Sequence, residues 1–387
     1  MAALPETESL VTLIDRAVQA ALSEPPRPHL GASQIGKECE RALWYGFRWA
    51  VTGNQFSGRM LRLFNRGHEE EPRFERWLKM AGITVSLVNE RTGKQYQFIE
   101  PSTGGHFAGS LDGMALNIPG AEKTWHVLEF KTHSAKSFKE LSTKGVAGHK
   151  PEHYAQMQVY MHWTQLTRAL YLAVNKDDDS LYAERIAYDK DMAERLIARA
   201  QRIVTSQNPP AGISDRSDWY RCKFCDYHVL CHGRTDETTG GLGPHALPDV
   251  HCRTCLHSTP ELTPDAEGNA RWSCAKWHCD IPVEGQREGC DEHRYIPSLI
   301  PWAGVIDAND QGDVLYEVAG ESHQPFVNGI SSPSPEVPFY SSKELQGLHP
   351  LLIGDANIKE MRETFGARVV NAAEPAVVDT LEGDIPL

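Results

Sequence analysis

The stretch Gly109-Ser110-Leu111-Asp112-Gly113 is followed, beyond a turn at Pro119-Gly120, by Val127-Leu128-Glu129-Phe130-Lys131. Both segments read as strand, and alternate residues of a strand face the same way. Glu129 and Lys131 therefore share one face, and Phe130 packs on the other. Asp112 is expected on the preceding strand of the same hairpin. Two carboxylates at one end of a sheet repel each other unless a cation lies between them. Hard oxygen donors suit Mg²⁺ or Mn²⁺. A lysine beside such an ion can orient a water or neutralise charge on a phosphate. An isolated E-x-K triplet is ordinarily a surface ion pair, so its weight comes from what flanks it.

Upstream, residues 60–80 read as a long helix that Pro72 could kink. Phe64, His68, Glu71, Glu75 and Leu78 fall on one face of it. Downstream, a helix over 152–164 carries Gln156 and Tyr160 four residues apart, on one face and able to reach the same phosphate or water. Strands are expected at 83–88, 95–99, 107–117, 125–131, 169–174 and 181–187, and a last helix at 190–205. Helices and strands in this order give an α/β plan with a mixed sheet.

This ordered set resembles the PD-(D/E)XK nuclease superfamily, in its RecB-like and lambda-type phage exonuclease branches. Gly67-His68-Glu69-Glu70-Glu71-Pro72 is similar to the helical first motif, where His68 and Glu71 compete for the metal-binding role. Asp112 with its glycines is similar to the second motif, Glu129-Phe130-Lys131 to the E-x-K motif, and Gln156-x-x-x-Tyr160 to the Q-x-x-x-Y motif. The resemblance implies a restriction-endonuclease-like core, a mixed sheet flanked by helices, over residues 30–233. It implies that His68 or Glu71, Asp112, Glu129 and the Phe130 carbonyl hold Mg²⁺ or Mn²⁺. Lys131 would support the attacking water, and Gln156 and Tyr160 would position a phosphate. The activity implied is phosphodiester hydrolysis on DNA, as an exonuclease processing ends in phage recombination or repair. A single-strand annealing protein is the partner that such a role suggests. The alternatives are a CRISPR-type end-trimming nuclease and a non-catalytic DNA-binding scaffold on the same fold.

The nine cysteines fall in two groups. The Cys222-x-x-Cys225-x-x-x-x-x-Cys231 cluster has one cysteine upstream of it, Cys39. Zinc would take four thiolates, or three with His228 or His232; a four-iron–four-sulfur cluster would take four cysteines. One early cysteine and three after the core resemble the iron–sulfur nucleases of CRISPR spacer acquisition and of AddB-type helicase–nucleases. That resemblance implies a 4Fe-4S cluster at Cys39, Cys222, Cys225 and Cys231, with zinc as the alternative. The second group, Cys252-x-x-Cys255 with Cys274, Cys279 and Cys290, reads as a zinc module. Its expected ligands are Cys252, Cys255, Cys274 and Cys290; Cys279 or His293 could replace one of them.

The chain of 387 residues is 40% apolar and 24% charged, the composition of a soluble globular protein. It has no apolar run of membrane-spanning length. No positive charge precedes the apolar residues of the N-terminus, so no secretory signal is read there. The expected location is therefore cytoplasmic, the host cytoplasm if phage-encoded, where thiols stay reduced. A formal charge of −13 argues against a nucleic-acid partner until its distribution is seen. Residues 303–387 carry 14 acidic and 4 basic side chains, a net of −10, which leaves −3 for the rest. That acidic tail could mimic DNA, dock a basic partner or keep the protein in solution. Lys131, Lys136, Lys139, Lys144 and Lys150, with His133 and His149, make a basic stretch read as a mobile loop that could contact phosphates. The segments expected are an N-terminal helix (1–29), the nuclease domain (30–233), a linker (234–248), the cysteine-rich module (249–300) and an acidic, partly disordered region (301–387).

The iron–sulfur expectation is tested by anaerobic purification. The protein is expected to be brown and to contain iron. Cys39→Ser should lose the colour and unfold at lower temperature, because the cluster would tie segments 183 positions apart. Colourless protein carrying zinc and no iron would make the alternative correct.

Overall fold

A computed structural model describes residues 9–51, 56–233, 245–320 and 322–369. Its packing separates residues 1–214 with 259–273 from residues 215–258 with 274–387. Cys222, Cys225 and Cys231 fall in the second unit, and the hairpin 259–273 in the first.

In the first unit the chain runs α1 (Leu10–Leu22), β1 (Leu30–Gly31), α2 (Glu40–Phe47), α3 (Gly58–Met80), β2 (Thr84–Ser86), β3 (Gln97–Ile99), β4 (Phe107–Ser110) and β5 (Gly113–Leu116). It continues with β6 (His126–His133), α4 (Ala135–His149), α5 (Pro151–Thr164), β7 (Arg168–Asn175), β8 (Leu181–Ala187) and α6 (Lys190–Thr205). The main sheet has the order β2-β5-β6-β7-β8; β6 and β7 are parallel and the other pairs antiparallel. A parallel pair needs a crossover, and α4 with α5 supplies it. The mixed α/β plan is present, and several sheets build it.

One face of the sheet is apolar for a reason visible in the strand period. Leu128 and Phe130 alternate with Glu129, and Leu170, Leu172 and Val174 do the same on β7, so one face presents them all to Phe74, Trp77 and Leu78 of α3. The rings of Phe74 and Phe130 stack 4.9 Å apart. Helix α3 starts at Ser57, whose side chain accepts the Met60 N–H, and it remains helical through Pro72. Helix α5 buries every residue from Ala155 to Met161, as expected of a helix enclosed by neighbours on all sides.

Two expectations fail here. Residues 107–117 are not one strand. Strand β4 pairs with β1 and β3 in a separate sheet, and β5 belongs to the main one. Asp112 thus sits in the crossing between sheets rather than within a hairpin strand. The segment after Glu129-Phe130-Lys131 is not a loop either. Ser134 caps α4 by accepting the Ser137 N–H, and the helix continues to His149 with a break at Gly145, where φ is 68°. A left-handed φ of that kind suits glycine.

In the second unit, α7 (Tyr220–Lys223) and α8 (His228–His232) are short. The hairpin of β9 (Ser258–Glu261) and β10 (Arg271–Cys274), whose residues 259–273 belong to the first unit, precedes β11 (Cys279–Ile281) and α9 (Val283–Gln286) of the second. Then come β12 (Ala303–Ala308), β13 (Val314–Val318), β14 (Pro325–Asn328), β15 (Phe339–Tyr340), α10 (Ser342–Gly347) and α11 (Ala356–Phe365). The last four strands form one sheet in sequence order. The region read as acidic and partly disordered therefore holds an ordered sheet, and α11 takes Asp355 as its N-cap. Trp302, Phe326 and Tyr316 stack across the sheet. Buried Arg294 pairs with buried Asp313, which also accepts from Ser331 Oγ at 2.8 Å. Residues 370–387 of that region, and most of the expected linker (234–248), lie outside the described residues. Among the described residues no helix is long and apolar enough to cross a membrane.

Phe74 packs on the apolar face, its ring against that of Phe130, so it tests the packing. Phe74→Ala is expected to cost about 3–5 kcal/mol of stability, read as a lower urea midpoint. A loss below about 1 kcal/mol would mean that α3 is not anchored through this ring.

Candidate active site

Glu129 projects from the sheet face opposite Phe130 and is fully buried. Its Oε1 lies in an ion pair with the Lys131 ammonium. Lys131 Nζ also donates to the Phe130 carbonyl at 3.1 Å. Glu129 Oε2 is buried, and no hydrogen bond reaches it among the described residues. An ionised carboxylate left this way is costly. Burial accordingly pushes the Glu129 carboxyl up to about 7; Lys131 pulls it down, while Asp112 and Glu71 push it up further. Burial alone would lower the Lys131 ammonium, yet the charges of Glu129, Asp112 and Glu71 raise it overall.

Asp112 reaches this point from the crossing between the two sheets. Its Oδ2 accepts the Phe130 N–H at 2.8 Å, directly beyond the last register pair, Gly113 with Leu128. The carboxylate thus takes the ladder position that a continued β5 would have filled. The crossing is held by Tyr160, whose hydroxyl donates to the Ser110 carbonyl at 2.7 Å. Gln156 Nε2 donates to that hydroxyl at 3.4 Å. A Cβ at position 109 would stand 2.8 Å from the Tyr160 hydroxyl and 2.9 Å from the Ala32 Cβ, so only glycine fits there. Gln156 and Tyr160 are both buried, and in this structure they hold the strand that delivers Asp112.

Helix α3 brings Glu71. Burial raises its carboxyl most and the Asp112 charge adds to this, while His68 and Lys131 oppose it. His68 is largely exposed; its Nδ1 lies 3.3 Å from Glu71 Oε1. Of the two first-motif candidates, Glu71 faces Asp112 and Lys131, and His68 reaches the group through Glu71. Three carboxylates and one ammonium are thus gathered from α3, the Asp112 crossing and β6.

A hydrogen-bonded chain lies behind Glu129, and the sequence reading had not assembled it. Tyr171 stands opposite Glu129 in the β6–β7 register. Its hydroxyl is 2.8 Å from His133 Nε2 and 3.0 Å from His153 Nδ1. Ser137 Oγ joins His133 Nδ1 to His149 Nε2, at 2.9 Å each. His133 and His149 had been counted with the basic lysines, and that count is corrected. Burial, then the charge of Lys150, drives the His133 imidazole down to about 4, and the same two causes lower His149. Burial followed by Lys131 drives His153 lower still. The signal available was the parallel pairing of β6 with β7, which places Tyr171 next to the E-x-K strand.

Cys39 occupies the N-cap position of α2 in the first unit. In the second unit, Cys222 lies on α7 and Cys231 on α8, with Cys225 between them. Cys252, Cys255, Cys274, Cys279 and Cys290 line one cavity of the second unit, of about 250 Å³. Among the described residues no three His, Cys, Asp or Glu side chains are drawn close enough to hold a metal ion as they stand. The donor chemistry at Glu129 nevertheless fits a hard divalent ion, since a buried carboxylate oxygen lacks a partner beside two further carboxylates.

Parts of the chain are similar to solved structures. An alkaline exonuclease from Laribacter hongkongensis is 18% identical, with a TM-score of 0.34, over 49% of this chain and 90% of that one. A phage related exonuclease from Haemophilus somnus 129PT is 14% identical, with a TM-score of 0.30, over 45% of this chain and 92% of that one. No protein-family model and no curated protein matches the sequence.

The histidine chain sets a pH dependence. The unfolded chain binds protons near the ordinary histidine value, and the folded chain resists them until a lower pH. The contribution of these histidines to stability is therefore full above about 6.5 and is lost as pH falls toward about 4. His133→Gln with His153→Gln is expected to flatten this loss in urea titrations across that window. An unchanged slope would show that other groups set it.

Proposed function

We propose that the chain is a divalent-metal-dependent deoxyribonuclease that hydrolyses phosphodiester bonds at DNA ends. The observation that carries this reading is that three sequence motifs meet around buried Glu129: Lys131 pairs with it, Asp112 accepts the Phe130 N–H, and Glu71 acts electrostatically on Glu129 and Lys131. Glu71, Asp112, Glu129 and the Phe130 carbonyl would hold Mg²⁺ or Mn²⁺. When bound, such an ion lowers the pKa of water and neutralises charge developing on a phosphate.

The remaining work falls to the protein. Lys131 is cationic at neutral pH, held so by the surrounding carboxylates. Its Nζ can orient a water by hydrogen bonding and offset negative charge on the phosphate in the transition state. Tyr160 and Gln156 fix Ser110 and, through it, the approach of Asp112. Lys136 and Lys139 on α4 are exposed and supply backbone-phosphate contacts that carry no base specificity. The assignment of a 4Fe-4S cluster to Cys39, Cys222, Cys225 and Cys231, and of an annealing protein as partner, rests on the sequence resemblance alone.

The test is a cleavage assay on end-labelled linear and closed circular DNA with Mg²⁺ or Mn²⁺. Wild type is expected to degrade linear DNA and leave circles intact. Asp112→Asn, Glu129→Gln and Lys131→Ala should each reduce kcat by about 10²-fold or more, the scale of losing one electrostatic stabiliser. Glu71→Ala should lose more activity than His68→Ala across a metal titration. Full cleavage by Glu129→Gln would overturn the site. DNA binding by wild type without cleavage in any divalent ion would leave a scaffold on a nuclease-like fold.

A further inference from the structure

The second unit contains a segment with too little apolar burial to explain its order. From Cys279 to Cys290, only Gln286 is buried. Gln286 is held by one side chain, buried Arg253, whose Nε and Nη2 donate to Gln286 Oε1 at 2.9 and 2.7 Å. Small modules with so little core need a further tie.

The candidates for that tie are thiols. Five cysteines, drawn from the turn at 252–255, the end of β10, the start of β11 and residue 290, line the cavity of about 250 Å³. Cys255 Sγ accepts the backbone N–H groups of His257 and Arg294. Cys252 Sγ lies 3.5 and 3.4 Å from the carbonyls of Gly285 and Glu288. These contacts suit a thiol proton, and a turn of the side chain toward the cavity would exchange them for an ion.

The five are not equivalent. Cys290 and Cys274 act electrostatically on both Cys252 and Cys255, whereas Cys279 acts on Cys252 as the weakest of its neighbours. Cys279 and Cys290 are both exposed. The sequence left Cys279 and His293 open as replacements. Cys274 and Cys290 line the cavity with the 252–255 turn and act on both of its thiols, and these four form the expected set.

We infer that Cys252, Cys255, Cys274 and Cys290 close around one structural zinc ion, which ties the 279–290 segment to the turn at 252–255. Soft thiolates select zinc over the hard cations suited to Glu129. Four protein ligands leave no open position for chemistry, so the role is structural. The thiols are not within reach of one ion as they stand, and zinc draws them inward, so that binding and ordering of the segment are one event. The inference is independent of the nuclease reading.

The experiment uses the full chain expressed with zinc supplied, and reads metal content by elemental analysis. Cys255→Ser and Cys290→Ser are each expected to lose one zinc per chain relative to wild type, and Cys279→Ser to lose none. Limited proteolysis should cut the 279–290 segment of the zinc-depleted variants and spare that segment in wild type. Where a variant fails to fold, a Co²⁺ titration of chelator-treated wild type decides. Intense thiolate-to-cobalt absorption with tetrahedral ligand-field bands supports the site. Unchanged zinc in Cys255→Ser and Cys290→Ser would overturn it, as would iron in place of zinc lost from those variants, or Co²⁺ spectra without thiolate bands. Loss of zinc from Cys279→Ser would overturn the ligand set.

Discussion

A carboxylate shut away from water is the constraint around which the first unit is arranged. Glu129 is placed by a strand whose next residue, Phe130, stacks on Phe74 of α3. The strand cannot slip by one residue without sending Phe130 to the polar side and Glu129 into the apolar core. Packing on one face therefore fixes chemistry on the other. Lys131 answers part of the charge, and it comes from the same face because it lies two residues on. The ion pair is a consequence of strand geometry, and the register that creates it is enforced by the ring on the far side.

Delivering Asp112 needed a different device. A carboxylate in a regular strand next to β6 would point along the alternation of that strand. Here the chain leaves one sheet and enters another between Ser110 and Gly113, and Asp112 lies in the gap. Its side chain takes the Phe130 N–H in place of a backbone carbonyl. The gap stays open because Tyr160 holds Ser110 and because residue 109 has no side chain to displace Tyr160. Glycine at 109 and tyrosine at 160 are thus two halves of one contact across 51 positions.

What was legible in the sequence follows from range. Glu129, Phe130 and Lys131 sort themselves by strand period alone, and Glu71 by helical spacing, so their faces were readable. The split of 107–117 was not, because the contact that breaks the strand comes from α5. Helix α4 was legible in part: Ser134 is a usable N-cap, but the basic stretch was read as a mobile loop, and the left-handed break at Gly145 shows why glycine stands there. His133 and His149 were misread because charge depends on burial, which a linear count does not contain. The sheet over 303–340 was hidden by its acidic and turn-rich surroundings, and its buried Arg294–Asp313 pair joins residues whose partnership no local pattern reveals.

The charge count at the centre explains why a lysine serves there and why it does not suffice. Glu71, Asp112 and Glu129 would carry three negative charges against one ammonium. Without another cation the protein relieves this by letting Glu129 hold a proton up to about pH 7. A divalent cation relieves the same imbalance by adding two positive charges, and all three carboxylates can then ionise. The ammonium of Lys131 contacts Glu129 Oε1 and the Phe130 carbonyl together, two oxygens that a cation would share with it. An arginine could balance charge as well, but its planar fork is rigid and not readily deprotonated. A lysine is a compact charge on a flexible stem, able to swing from those oxygens to a water or a phosphate. The residue that pairs with Glu129 would therefore also be the one free to take a new partner if a metal compensated the carboxylates.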